Sequence, residues 1–300
     1  MNVLVAGNSV LDLHATVPDE ETSFGTGWVE NNVQFLSDAP HVVLGGNGAA
    51  TSYTLGMLGV PVFLNTAIGC DPFGGLIEGW LSAAGVKLVG QKVDSTPVNI
   101  VRNRSTDGAR LSSYFAGEKV DWRIGLEGEA TDWFFASGYG LVSAADFDSL
   151  TEAFHRSKSN GSRVGFDPGP WFERKVSREP FRSAMSVVDC LIGTEDELQT
   201  WSDASSVDAM IEDYLGMGIE RVVVKQGAEG ASFGDVDGNR GHVSGHPIQE
   251  AHAVGAGDTF NGALLAGFCE ERSLDECVKI AVQRAERAVR SGRGALGAFD

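Results

Sequence analysis

The sequence predicts an α/β fold with a largely parallel central sheet and helices on both faces. Three observations carry that expectation. Short apolar runs rich in Val, Ile and Phe alternate along the chain with segments of helical period. Glycines stand at the ends of several of these runs, where the chain must turn. The 300 residues, 42% hydrophobic and 21% charged, suit a globular protein with a sizeable core.

The elements follow in order. Val3–Ala6 reads as a buried strand ending at Gly7, and Ala49–Leu58 as a helix stopped by Gly59. Val62–Ile68 reads as a strand, and Gly75–Ala84 as a helix ended by Gly85. Trp133–Ser137 is strand-like, Phe147–Ser157 is helical, and Arg163–Asp167 is a strand again. Val187–Ile192, Asp208–Gly216 and Arg221–Lys225 repeat strand, helix, strand. Two segments break the rhythm. Leu13–Leu44 is rich in β-formers and turn residues, and Thr96–Gly117 has two short runs around Asp107-Gly108, a hairpin signal. Each reads as strands of a small lid outside the main sheet, or as surface loops. No internal repeat or linker divides the chain, so residues 1–300 are read as a single domain.

Composition excludes several functions. A net charge of −18 opposes a general nucleic-acid binder, which needs a basic surface. In such a field a phosphate site depends on backbone dipoles, a metal ion and a few basic side chains. The cysteines Cys70, Cys190, Cys269 and Cys277 form no CxxC pair or zinc spacing, which fits a reducing cytoplasm. The N-terminus reads as a strand rather than a leader, and no apolar run nears the roughly 18 residues that span a bilayer. There is no GxxxxGK[ST] or HExxH string. Gly292–Gly297 spells GxGxxG, but it follows a helix and opens none, so it is not a dinucleotide site.

The most informative string is Val254–Ala263. Gly255, Ala256 and Gly257 run into Asp258 just where Phe260, Leu264, Gly267 and Phe268 take up a helical period. A glycine turn opening a helix presents free N–H groups to an anion. Asp258 there is either a helix cap or a carboxylate placed to take a proton from a nucleophile.

From Gly255 to Ala263 the chain resembles the signature DTxGAGDTFxGA of the ribokinase-like (PfkB) carbohydrate kinases, with His252 in place of its first Asp. The resemblance implies a ribokinase-like fold with a β lid over the sugar, dimerisation through that lid, and phosphoryl transfer from ATP with Mg2+. It implies Asp258 as catalytic base and Gly255, Ala256, Gly257 and Asp258 as the anion hole. Leu44–Ala50 matches the family's GGxxAN-type motif, with Ala50 at its last position, so Gly45, Gly46 and Asn47 are expected in the sugar pocket. Asp12 matches the acid that grips sugar hydroxyls; locally it reads equally as a solvated loop residue. Ile68–Gly74 resembles a GxDxxG segment, with Asp71 and Pro72 suited to starting a helix.

Thr194–Glu197 resembles the family's NxxE pattern with Thr for Asn. Glu197 is thereby expected to support magnesium, although acids in a first helical turn need no metal. Lys225–Gly230 resembles the glycine turn beside the nucleotide, placing Thr194, Lys225, Gly227 and Gly230 there; Lys225 either meets a phosphate or closes its strand. The family often binds a monovalent cation near the position of His252. An imidazole is a poor ligand for an alkali ion, so weak or absent potassium activation is expected. Phe166–Pro170 resembles the DxNxR stretch of fructokinase and ketodeoxygluconate-type members, with Gly169 and Trp171 in place of Asn and Arg. Ribose, fructose, a keto-sugar acid or a nucleoside stay open as substrates, and so does a non-catalytic sugar-sensing relative.

Overall fold

Alternate side chains of the first strand point to two separate cores, and that alternation sets the architecture. The computed structural model describes residues 1–17, 35–36, 38–106, 109–128, 131–138, 144–170, 176–248 and 254–300. The chain begins with β1 (Val3–Ala6), β2 (Val10–Val17), β3 (His41–Gly45), α1 (Asn47–Met57), β4 (Val62–Asn65), β5 (Ala67–Gly69) and α2 (Pro72–Ala83). It continues through β6 (Lys87–Leu88), β7 (Gln91–Val93), β8 (Val98–Arg104), β9 (Arg110–Phe115), β10 (Trp133–Ser137), α3 (Ala144–Ser159), β11 (Arg163–Asp167) and α4 (Arg178–Met185). It closes with β12 (Cys190–Thr194), α5 (Glu195–Gln199), α6 (Val207–Leu215), β13 (Arg221–Lys225), β14 (Gly230–Asp235), β15 (Arg240–Ser244), α7 (Ala256–Cys269) and α8 (Leu274–Ser291).

Among the described residues the main sheet has nine strands in the order β15-β14-β13-β12-β11-β10-β1-β4-β6. Pairings from β6 to β13 are parallel, and β14 and β15 add an antiparallel edge. Val3 and Val5 of β1 join a core with α1, α2, α7 and α8. Leu4 and Ala6 join the opposite core with α3, α4 and α6. In the second core Phe181 stacks on Trp201 with ring centroids 4.0 Å apart. A buried strand with both faces covered reads as a continuous apolar run, as VLVA does.

Among the described residues, the strands within the segments 13–44 and 96–117 expected to form a lid join a separate four-stranded sheet, β3-β2-β8-β9. The hairpin turn expected at Asp107-Gly108 lies outside the described residues, but β8 and β9 pair antiparallel around it. The lid begins earlier than the sequence suggested, at Val10. Asp12 therefore belongs to a lid strand and is buried, not a solvated loop residue. The run Val62–Ile68 is two strands: β4 stays in the main sheet, while β5 pairs with β7. The switch comes at Thr66, whose carbonyl accepts from Gln91 N at 2.9 Å. The strand expected at Val187–Ile192 starts at Cys190, because Val187 and Val188 complete the turn after α4. Asp71 caps α2, accepting from Gly74 N and from the Thr96 backbone and hydroxyl. No described helix is long and apolar enough to cross a membrane.

Candidate active site

The start of α7 is a wall shared by two cavities. Gly255 precedes the helix in the left-handed conformation, φ 72°, and a Cβ there would lie 3.3 Å from Ala295 N and Gly294 Cα. A side chain would be strained in both backbone and space. Gly255 and not Asp258 is the N-cap of α7; Asp258 is the third helical residue, an acid in the first turn. Its carboxylate accepts no hydrogen bond from the described residues. Gly255 and Asp258 line one cavity of 200 Å³ under the lid. Ala256 and Gly257 line a second, of 340 Å³, at the carboxyl edge of the main sheet. Open α/β sheets bind ligands at that edge.

The lid cavity is polar by register. Asp12 pairs with Asn99, and Asn99 with Tyr114, so the three side chains form one cross-strand row. All three line the cavity with Gly45, Gly46, Asn47 and Arg110. Gly45 leaves room for Asp12: a Cβ there would lie 2.5 Å from Asp12 Oδ2. Gly46 holds φ 82°, and its Cβ would strike the Asn8 carbonyl at 2.5 Å. Asn47 Oδ1 accepts from Gly48 N at 2.7 Å and Asn8 N at 3.2 Å, which fixes the amide and leaves its Nδ2 buried without a partner. Asn99 Oδ1 is likewise buried and unpartnered. A buried donor and a buried acceptor left unpaired in one cavity ask for a ligand carrying both functions, as hydroxyls do. Burial pushes the Asp12 carboxyl up to about 6, against the pull of the Asn99 side chain and the Arg110 charge.

The second cavity is lined by Thr194, Lys225, Gly227 and Gly230 at its polar end. Phe260, Val282 and Val289 supply apolar walls. Gly227 has φ 59° and open space where a Cβ would sit, so a ligand can approach the backbone. Gly230 has a structural reason to be glycine, since its Cβ would meet Val243 O at 2.0 Å. Thr194 and Glu197 form a reciprocal capping box on α5: Glu197 Oε2 accepts from Thr194 N at 2.7 Å, and Thr194 Oγ1 from Glu197 N at 3.3 Å. Glu197 lies beside the second cavity's lining and not in it.

Behind the shared wall lies a charged cluster. Asp167 Oδ2 accepts from Lys225 Nζ at 2.8 Å and from Asn261 Nδ2 at 2.6 Å, and Oδ1 accepts from Gly169 N at 2.9 Å. Burial pushes the Asp258 carboxyl up to about 7; Lys225 opposes this, while Asp167, Glu197 and Asp12 add to it. Burial, reinforced by Asp167, also raises Glu197. Lys225 is drawn down by burial, but Asp167, Glu197 and Asp258 outweigh this and hold the ammonium above its usual value.

The structure therefore gathers Asp12, Gly45, Gly46, Asn47, Gly255 and Asp258 in one cavity. It gathers Ala256, Gly257, Thr194, Lys225, Gly227 and Gly230 in the other. Sequence reasoning missed Asn99, Arg110 and Tyr114, although the alternation in RLSSYF already put Arg110 and Tyr114 on one face. It missed the pairing of Asp167 with Lys225 and Asn261, which are far apart in the chain. His252 and Trp171 lie outside the described residues.

Known proteins share this fold. The pfkB family carbohydrate kinase profile matches residues 2–296. A fructokinase from Vibrio alginolyticus is 25% identical over 283 residues, covering 91% of this chain and 85% of the relative. A ribokinase from Thermotoga maritima superposes with a TM-score of 0.80 at 21% identity, over 100% of this chain and 96% of that one. A protein described as ribokinase II from E. coli, in complex with ATP and Mg2+, gives 0.74 at 21% identity over 99% and 95%. The two-cavity fold and the nearly full-length profile match lead to one conclusion: the chain belongs to the pfkB family of carbohydrate kinases, phosphotransferases with an alcohol group as acceptor.

Proposed function

We propose that the protein transfers the γ-phosphoryl of ATP to a hydroxymethyl group of a sugar, with Asp258 as the base. The single observation behind this is that Asp258 and Gly255 face the lid cavity while Ala256 and Gly257 face the other. A sugar held by Asp12, Gly45, Gly46 and Asn47 meets a nucleotide held by Thr194, Lys225, Gly227 and Gly230 across the helix start. The N–H groups from Gly255 to Asp258 stabilise the charge on the transferring phosphoryl. Asp258 takes the hydroxyl proton, and the lid strands exclude water that would divert the reaction to hydrolysis.

Magnesium fits the residues present as an ion held chiefly by phosphates and water. Among the described residues no group of three acids, histidines or cysteines could hold a metal directly. Glu197 retains one carboxylate oxygen outside its capping bond and suits a supporting role through water. Bound magnesium would neutralise phosphate charge. With His252 replacing Asp, turnover should respond weakly or not at all to potassium; a strong saturable dependence would contradict that.

A carboxylate base must be ionised. With the Asp258 carboxyl near 7, kcat/KM should fall as pH drops through about 7, well above the usual carboxylate range. A pH–rate profile flat down to pH 5 would contradict the assignment.

The acceptor is to be found by incubating the protein with Mg-ATP and a panel of sugars, sugar acids and nucleosides and measuring ADP. One observation favours a sugar acid as a second reading. The Arg110 side chain lines the lid cavity near the Asp12 carboxyl and makes no side-chain hydrogen bond or ion pair with the described residues. A preference for a sugar acid that Arg110→Ala abolishes would support it. Binding of ligands with no ADP release for any of them would favour a non-catalytic sugar sensor, the remaining alternative.

The lid's outer face supports a homodimer. Val42, Ile100, Leu111 and Phe115 share the side away from the cavity and are exposed. A contiguous apolar face of this kind marks an interface. Light scattering should show a dimer that Leu111→Glu converts to monomer; a monomeric wild type would rule the dimer out.

A further inference from the structure

We propose that Lys225 is a catalytic residue, a fixed cation on the transferring phosphoryl, and that Asp167 and Asn261 are its positioning residues. The inference rests on the kinase reading above and assigns a role within it. Lys225 ends β13, and its side chain is only 11% exposed. Its Nζ lies 3.6 Å from where a Cβ on Gly257 would be, so the ammonium sits at the mouth of the helix start. Asp167 Oδ2 holds it at 2.8 Å, and Asn261 Oδ1 stands at 3.5 Å. Asp167 is itself fixed by Asn261 Nδ2 and Gly169 N. Asn261 lies one helical turn beyond Gly257 on α7, so the same helix sets the backbone amides and the clamp on the lysine.

An ammonium has three N–H donors. Asp167 takes one, Asn261 at most a second, and one is left in the nucleotide cavity that Lys225 lines. A plain structural ion pair would tie β11 to β13 without needing a place in that cavity. Three carboxylates around the ammonium, Asp167, Glu197 and Asp258, keep it charged. In the step itself the bond from the γ-phosphorus to the β–γ bridging oxygen breaks. A bond to the acceptor oxygen forms, the hydroxyl proton goes to Asp258, and ADP leaves. Lys225 keeps its proton throughout and offsets charge on the phosphoryl oxygens; among the described residues it is the one lysine or arginine that lines the second cavity.

The test compares wild type, Lys225→Met, Lys225→Arg and Asp167→Asn. Lys225→Met should lower kcat by about 10²-fold or more. Its sugar KM should stay near the wild-type value. Titration calorimetry without sugar should show ATP affinity falling while ADP affinity is kept, because only ATP carries the γ-phosphoryl. Lys225→Arg should retain part of the ATP preference, and Asp167→Asn should lose kcat with an intact sugar KM. Turnover of Lys225→Met within threefold of wild type, or equal loss of ATP and ADP affinity, would overturn the inference. Should Lys225→Met not fold, Asp167→Asn and Lys225→Arg decide by the same ATP-to-ADP comparison. An inactive Asp258→Asn beside a fully active Lys225→Met would remove only the lysine's role; absence of wild-type turnover with every acceptor would remove the kinase reading itself.

Discussion

Asp258→Asn should lower kcat by about 10³-fold, within the range for removing a general base. On the proposed reading the nucleotide binds on the other side of the helix start, so its affinity should be nearly unchanged. Asn has almost the same shape as Asp, and the Asp258 carboxylate accepts no hydrogen bond from the described residues, so no hydrogen bond is lost. Stability should move the opposite way from activity. The folded carboxyl keeps its proton up to about pH 7, against an ordinary value of 3.8. Between those values the native state binds more protons than the unfolded chain, so stability falls as pH rises through that window. Asparagine carries no such burden, and the variant's Tm at pH 8 should equal or exceed that of wild type. Rapid-quench turnover, nucleotide titration and thermal melting check the three statements; an Asp258→Asn enzyme of near-native rate refutes the base.

Gly45→Ala closes the lid cavity on its own acid. The added methyl would lie 2.5 Å from Asp12 Oδ2, 2.6 Å from Cγ and 2.8 Å from Oδ1, so the carboxylate must move. A displacement of about 1 Å at a substrate-orienting group costs on the order of 10²-fold in kcat/KM. The loss should appear in the sugar KM, with ATP KM unchanged, since Gly45 touches only the lid cavity. The double variant Gly45→Ala/Asp12→Ala should regain thermal stability, because the clash is gone, while the sugar KM stays high. Steady-state kinetics over both substrates, with melting curves, measure this. A native sugar KM in Gly45→Ala would show that Asp12 does not orient the acceptor.

The local elements were legible because local physics decides them. The apolar run VLVA can only be a strand covered on both faces, and the run after Gly255 can only be a helix entered through a left-handed glycine. The glycine clusters announced close approaches, which the structure supplies at Gly45, Gly46 and Gly255. What could not be read was register and long-range pairing. Asp12 read locally as either a sugar-gripping acid or a solvated loop residue, because nothing local says that β2 leaves the main sheet for the lid. Its neighbours Asn99 and Tyr114 come from strands whose pairing depends on the whole lid. Lys225 offered two roles, and only its pairing with Asp167, 58 residues earlier, and its nearness to Gly257 narrow the choice. Thr194 and Glu197 illustrate the reverse: a motif resemblance suggested metal support, and the geometry adds a capping box that accounts for both side chains locally.

The central claim is that a phosphoryl group crosses from one cavity to the other over Gly255–Asp258. The most direct measurement is a crystal structure with the acceptor found in the panel and a non-hydrolysable ATP analogue. The acceptor hydroxyl should lie within hydrogen-bond reach of Asp258, about 2.6–3.2 Å. The γ-phosphoryl should face the N–H groups of Gly255 to Asp258. An acceptor hydroxyl turned away from Asp258, or a γ-phosphoryl bound elsewhere, would contradict the account.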